Sequence, residues 1–217
     1  MPHSIYSSLT QDTTAAADSL AVMMINERTI YQSCDYLQTT SSSSMEDYDS
    51  MITESDRTKL VGWCYDTVDK CHFDRETVAI AIELVDRFLS QPNSMAHVAL
   101  DRKQYQLIVM ASLYISIKVN ERVAFGSTFL SAMSKGMYSV HDIEEMELTI
   151  LTNLSWRINA PTSIQMAHHI LSLVLPHVNL DESTWGFILD EVRFQTESAV
   201  RDYFFVTQRP STVCMGE

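Results

Sequence analysis

Four charged residues interrupt otherwise apolar, helix-patterned stretches, and the chemistry open to them is pairing and recognition. Arg57 opens Arg57-Thr-Lys-Leu-Val-Gly-Trp63, and Asp86 breaks Leu84-Val-Asp-Arg-Phe-Leu-Ser90. Lys118 lies within Ile115-Ser-Ile-Lys-Val-Asn-Glu121, and Glu147 closes Glu144-Glu-Met-Glu147. A charge set on an apolar face is costly unless it is paired, so each asks for a partner inside the fold or on another protein. An ammonium donates to carbonyls and a carboxylate accepts from amides, and both stay satisfied when an interface closes over them. Catalysis is not suggested. There is no Gly-rich phosphate loop, no Gly-x-Ser-x-Gly elbow and no His-Glu-x-x-His. His168 and His169 are adjacent and point about 100° apart on a helix, which does not suit one metal site. No enzymatic activity, cofactor or metal is expected.

Helices must hold these groups, and their punctuation is readable. The spacing predicts a helix over 56–71 with Leu60, Trp63, Cys64, Thr67 and Cys71 on one face. A second, over 75–89, follows Asp74 as N-cap, with Phe73 as a staple. Val78, Ile82, Val85 and Leu89 form its stripe, and Gln91-Pro92-Asn93 stops it. A third, over 102–119, opens with Asp101 and Gln104 in capping-box spacing. From Leu107 it is apolar on every side, with small Ala111, Ser112 and Ser116, so it should be buried all round. A short helix over 127–134 ends at Lys135-Gly136, and a fifth over 140–155 starts with Ser139 and Asp142 in capping-box spacing. The expected fold is all-α: five helices with the third at the centre.

Beyond Ala160-Pro161-Thr162 the pattern gives helices ending near Leu175 and over 182–205. Arg209-Pro210-Ser211 then opens another, with Pro in its first turn. Residues 1–19 are Ser, Thr and Ala-rich without periodicity and read as disordered. A weak helical pattern starts at Leu20, and Thr39–Ser44 is a hydroxyl-rich linker before the acidic Met45-Glu-Asp-Tyr-Asp49. The expected organisation is an N-terminal extension over 1–52, a helical domain over 53–160 and a further partial repeat over 161–217.

Composition narrows the class. The 217 residues are 46% hydrophobic and 20% charged with few Gly and Pro, as in a helical globular protein. A net charge of −13 disfavours an electrostatic grip on nucleic acid or an anionic membrane. Cys34, Cys64, Cys71 and Cys214 form no Cys-x-x-Cys pair, which suggests neither a disulfide framework nor a zinc site. No signal peptide is evident, and the apolar stretch Leu107–Ile117 is too short to cross a bilayer. An intracellular location is expected, nuclear or cytoplasmic, with no targeting cluster of Lys or Arg.

In this order and spacing, the blocks from Arg57 to Trp156 resemble the first cyclin box, a five-helix fold around a buried central helix. The resemblance implies a regulatory subunit that binds and allosterically activates a cyclin-dependent protein kinase in a heterodimer. It has no chemistry of its own, and ATP and magnesium belong to the partner. Lys118 and Glu147 match the residues that grip the kinase's regulatory helix, with Glu121, Val119 and Leu107 beside them. Arg57 and Asp86 match a structural ion pair between helices. Leu60, Trp63 and Gln106 match a groove that docks Arg-x-Leu motifs, but Asp56 and Lys59 replace its apolar Met and Ile. Val119 stands where an aromatic is common, and Asn120 replaces an acid. Pro210-Ser-Thr-Val213 matches the start of the central helix of a second repeat, which implies that this repeat is incomplete. Leu171, Leu175, Phe187, Leu189, Val192, Phe204 and Phe205 would then lack a burial partner. The alternative function is a non-activating cyclin-fold adaptor or a truncated pseudo-cyclin.

Overall fold

Capping chemistry places most of the helices where the sequence puts them. A computed structural model describes residues 13–39, 52–91, 101–123 and 126–216. Its helices are α1 (Thr13–Thr29), α2 (Tyr36–Thr39), α3 (Glu54–Cys71), α4 (Glu76–Ser90), α5 (Arg102–Asn120), α6 (Ser127–Met133), α7 (Val140–Asn153), α8 (Ser163–Val174), α9 (Glu182–Arg201) and α10 (Pro210–Met215). Short 3-10 turns lie at Leu175–His177 and Tyr203–Thr207. Among the described residues there is no strand. The fold is all-α, as expected. The chain divides into two compact units, one of Ser33–Asn159 with Val200–Thr207, the other of Met1–Gln32, Ala160–Ala199 and Gln208–Glu217 as far as these are described.

The first unit is built around α5. Every residue from Ile108 to Ile117 is buried, and α3, α4, α6 and α7 pack around this helix. Ala111, Ser112 and Ser116 let the neighbours approach closely, and Ser116 Oγ donates to the Thr77 carbonyl at 2.8 Å. Full capping boxes start α3 (Thr53 with Asp56) and α7 (Ser139 with Asp142). Asp101 starts α5, accepting from Gln104 N at 2.7 Å. At α4, Arg75 is already helical, yet Asp74 Oδ1 still accepts from Glu76 N at 2.9 Å, so the capping bond comes from one residue further out. The buried face of α3 differs from the expected one. Cys64 and Thr67 are buried as expected, but Arg57, Val61, Tyr65 and Val68 join them, while Leu60, Trp63 and Cys71 are half-buried.

In the other unit α1 packs on α8, and α8 on α10. Helix α1 begins at Thr13 rather than Leu20. Ala15, Ala16 and Ala17 are strong helix formers that add no apolar period, which is why pattern reading passes over them. Glu27, 1% exposed, accepts from Ser211 N at 2.9 Å and from Ser211 Oγ at 2.6 Å, and so caps α10 from α1. On α9, Trp185 is buried, whereas Phe187 and Phe194 are 69% and 66% exposed. Of the other apolar residues expected to lack a partner, Leu171, Leu175, Leu189, Val192 and Phe205 are half-buried, and Phe204 is exposed. The expected linker over 39–44 and the acidic stretch over 45–49 lie essentially outside the described residues.

Candidate functional site

Lys118 and Glu147 come from different helices and meet. Lys118 sits in the last turn of α5, where a cation suits the exposed carbonyls of the helix end. Its ammonium pairs with Glu147 Oε1 of α7 and stands 4.2 Å from the centroid of the Tyr114 ring one turn back. Two contacts hold the end of α5 so that Lys118 is presented there: Ser116 on the Thr77 carbonyl, and Glu121 on the start of α4. Glu121 Oε1 accepts from Asp74 N at 3.0 Å and from Thr77 Oγ1 at 2.5 Å. The carboxylate of Glu121 thus serves the α4 N-terminus, where negative charge is favoured. Val119 (46% exposed) and Leu148 (57% exposed) give the Lys118–Glu147 pair an apolar rim.

Leu107 is not part of this group. It lies three turns up α5, about 16 Å from Lys118 along the axis, half-buried against the core together with Trp63. It belongs with Leu60, Trp63 and Gln106, all half-buried on the side where α3 meets α5. There Gln106 Oε1 accepts from Tyr138 Oη at 3.4 Å. Asp56 and Lys59 lie at the start of this face. Asp56 Oδ2 accepts from Thr53 N and pairs with Arg102 Nε, both at 3.1 Å, and Lys59 Nζ is 4.0 Å from Oδ1. Partial burial would raise the Asp56 carboxyl, but the bonds from Thr53 and Arg102 outweigh it and hold the group below its usual range.

Arg57 and Asp86 form a buried ion pair with Nη2 and Oδ2 2.8 Å apart. Sequence reading found this pair but not its surroundings. Tyr36 Oη donates to Asp86 Oδ1 at 2.8 Å, and Arg57 Nη1 donates to the Val200 carbonyl at 2.8 Å. Tyr203 lies edge-on to Tyr36 and accepts from Leu37 N at 3.0 Å. Burial, then the Asp86 charge, pushes the Tyr36 hydroxyl well above its usual range, so it remains a donor. Burial works against the Arg57 charge, but the Asp86 carboxylate more than restores it. The network fixes α2, α3, α4 and the 200–203 segment in one register and has no exposed reactive group.

Trp156 also escaped the sequence reading. It is 64% exposed and, like Ser155 before it, has a left-handed backbone with φ of 60° against 52°. The two residues close α7, with Ser155 N and Trp156 N donating to the Thr152 and Leu151 carbonyls at 3.0 and 2.8 Å, the bonding of a left-handed turn at a helix C-terminus. The signal was its place directly after the apolar period of α7. Among the described residues no cluster of His, Cys, Asp and Glu could hold a metal, and no helix is long and apolar enough to cross a membrane.

Comparison with known proteins meets this geometry. The family described as the cyclin N-terminal domain matches residues 20–159. G2/mitotic-specific cyclin-A1 of Caenorhabditis elegans is 28% identical over 178 residues, which cover 81% of this chain and 34% of the relative. Cyclin-B2-1 of Arabidopsis thaliana is 32% identical over 111 residues, 51% of this chain and 24% of the relative. The chain therefore spans about a quarter to a third of the length of these relatives. Among solved structures, a viral cyclin from herpesvirus saimiri shares the fold with a TM-score of 0.69 at 17% identity, over 91% of this chain and 78% of that one.

Proposed function

This chain belongs to the cyclin family, and we propose that it is a regulatory subunit that binds a cyclin-dependent protein kinase and activates it allosterically. The observation that carries the reading is the Lys118–Glu147 pair, drawn from α5 and α7 and set at the surface between exposed Val119 and Leu148. The ammonium donates to main-chain carbonyls of the kinase's regulatory helix, and the carboxylate accepts from its amides, while the apolar rim excludes water from both. Activation is then differential affinity. The chain binds the kinase state with the regulatory helix swung in more tightly than the other state, and so shifts the population toward it. The chemistry, with its ATP and magnesium, stays with the kinase. The partnership is a heterodimer, needs neither nucleic acid nor membrane, and operates in cell-cycle control inside the cell.

A second reading, a non-activating adaptor or pseudo-cyclin, is favoured by Val119, whose small exposed side chain stands where the resemblance implies an aromatic anchor. The test is co-purification with a panel of cyclin-dependent kinases, with kinase activity assayed for wild type and for Lys118→Ala/Glu147→Ala. Binding and activation that are both lost in the double variant support the first reading. Binding without activation selects the pseudo-cyclin, and no binding by well-folded protein removes the kinase reading and leaves the adaptor.

A further inference from the structure

Helix α1 buries a charge and exposes apolar groups. Of its 17 residues only Ala16 and Glu27 are buried, whereas Val22 and Ile25 are 55% and 62% exposed. Its place on α8 therefore depends on one carboxylate as well as on an apolar stripe. Among the described residues no ion pair reaches Glu27. Its two oxygens are served by Ser211 alone, through the amide at 2.9 Å and the hydroxyl at 2.6 Å. A carboxylate shut away from water without a cation is tolerated only while such donors serve it. The Ser211 side of this latch is built to open. Helix α10 has six residues, none of them buried, so local opening costs little. Exposed Arg209 lies two residues ahead of Ser211 with an extended backbone (φ −75°, ψ 144°), as the following Pro210 requires. An extended segment with a basic residue just before a hydroxyl suits the substrate cleft of a protein kinase that reads substrates by charge.

We propose that Ser211 is a phosphorylation site for an arginine-directed protein kinase, and that the phosphate expels Glu27 and with it frees α1 from α8. The Ser211 hydroxyl oxygen attacks the terminal phosphorus of a nucleoside triphosphate held by that kinase. The new O–P bond forms as the bond to the departing diphosphate breaks, and the hydroxyl proton passes to the kinase's base. The product carries a charge of about −1.5 to −2 on the atom that now lies 2.6 Å from Glu27 Oε1. It also has no proton left to donate there. Two anions at that separation, away from water, cannot both stay. Glu27 moves out to solvent, and α1, whose last turns carry it, follows. The face of α8 beneath α1 is then uncovered.

The test treats the full chain with magnesium-ATP and an arginine-directed Ser/Thr kinase, maps the phosphate by mass spectrometry and follows amide hydrogen exchange. The phosphate should sit on Ser211, and residues 13–29 should then exchange about ten-fold faster. Ser211→Ala should take no phosphate and should keep most of the protection of 13–29. Glu27→Gln separates repulsion from simple loss of contact. Its amide donates to the phosphate, so phosphorylation of this variant should change exchange over 13–29 by less than about two-fold. No phosphate on Ser211, or one placed on Thr212 instead, overturns the proposal. So does phosphorylation of Ser211 that leaves 13–29 as protected as before, or that frees them equally in Glu27→Gln. Neither readout involves the Lys118–Glu147 pair, so failure here leaves that reading untouched.

Discussion

The Arg57–Asp86 pair leaves 4% and 9% of its side chains accessible, whereas the Lys118–Glu147 pair leaves 34% and 15%. Both join two helices of the same unit by a cation and a carboxylate, yet they are completed differently. Around Arg57 and Asp86 the spare bonding capacity is taken up inside the protein, by Tyr36 and the Val200 carbonyl. Around Lys118 it is left to the Tyr114 ring face and to solvent. A saturated pair fixes register, and a half-saturated one offers itself to a partner. The difference lies in what surrounds the charges rather than in the charges themselves.

Mutation should separate the two. Asp86→Ala strands the Arg57 guanidinium in the core and should cost about 3–5 kcal/mol, read from urea unfolding. A loss under about 1 kcal/mol would place the pair in the exposed class. The Glu83–Arg87 pair is intermediate: Arg87 Nη1 lies 3.3 Å from Glu83 and also donates to the Arg157 carbonyl at 2.8 Å. Burial pushes the Glu83 carboxyl up to about 7 from an ordinary 4.5, with Arg87 opposing. A carboxyl raised in the folded state stabilises fully below its unfolded value, and that stability is lost as pH rises through about 7. Glu83→Gln should therefore gain about 2 kcal/mol on wild type between mildly acidic and mildly basic pH, as melts at both would show. A constant difference would mean that the group does not titrate there.

Tyr36→Phe removes one donor from Asp86 and should cost about 1–2 kcal/mol. Kinase binding should be unchanged, which pull-down alongside unfolding would check. The smallest expected effect on stability belongs to Lys118→Ala, under about 1 kcal/mol. A larger loss in its denaturation curve would make that pair a structural one as well.

Local signals carried most of what the sequence disclosed. Asp101 and Ser139 act through residues within the next turn, so the starts of α5 and α7 could be read directly, whereas the Thr53 cap was passed over and α3 begins two residues before its expected start. The apolar run of α5 announced a helix buried on all sides. Lys118 and Glu147 were legible only as members of ordered blocks. Their meeting depends on how α5 and α7 pack. What stayed hidden was long-range or aperiodic. Nothing around Tyr36 marks it as a donor to Asp86, and the Val200 carbonyl is a main-chain group that no pattern displays. Glu121 was expected beside Lys118 at the kinase-facing group, and its bonds to Asp74 N and Thr77 Oγ1 at the start of α4 were not legible because they cross from one helix end to another. Leu107 shares a helix with Lys118, and rise per residue alone sets it three turns away.

The bonds around Asp86 also impose an order in time. Arg57 and Asp86 are both present once α4 has been synthesised, but the Val200 carbonyl and the Tyr203 ring arrive more than a hundred residues later. A nascent chain ending near Asn159 holds α5 and its neighbours but not the acceptor for Arg57 Nη1. Contacts of such long sequence separation form late and slowly. During that interval the growing protein has a half-satisfied guanidinium beside an open apolar edge, the stage at which chaperones engage and misfolding begins.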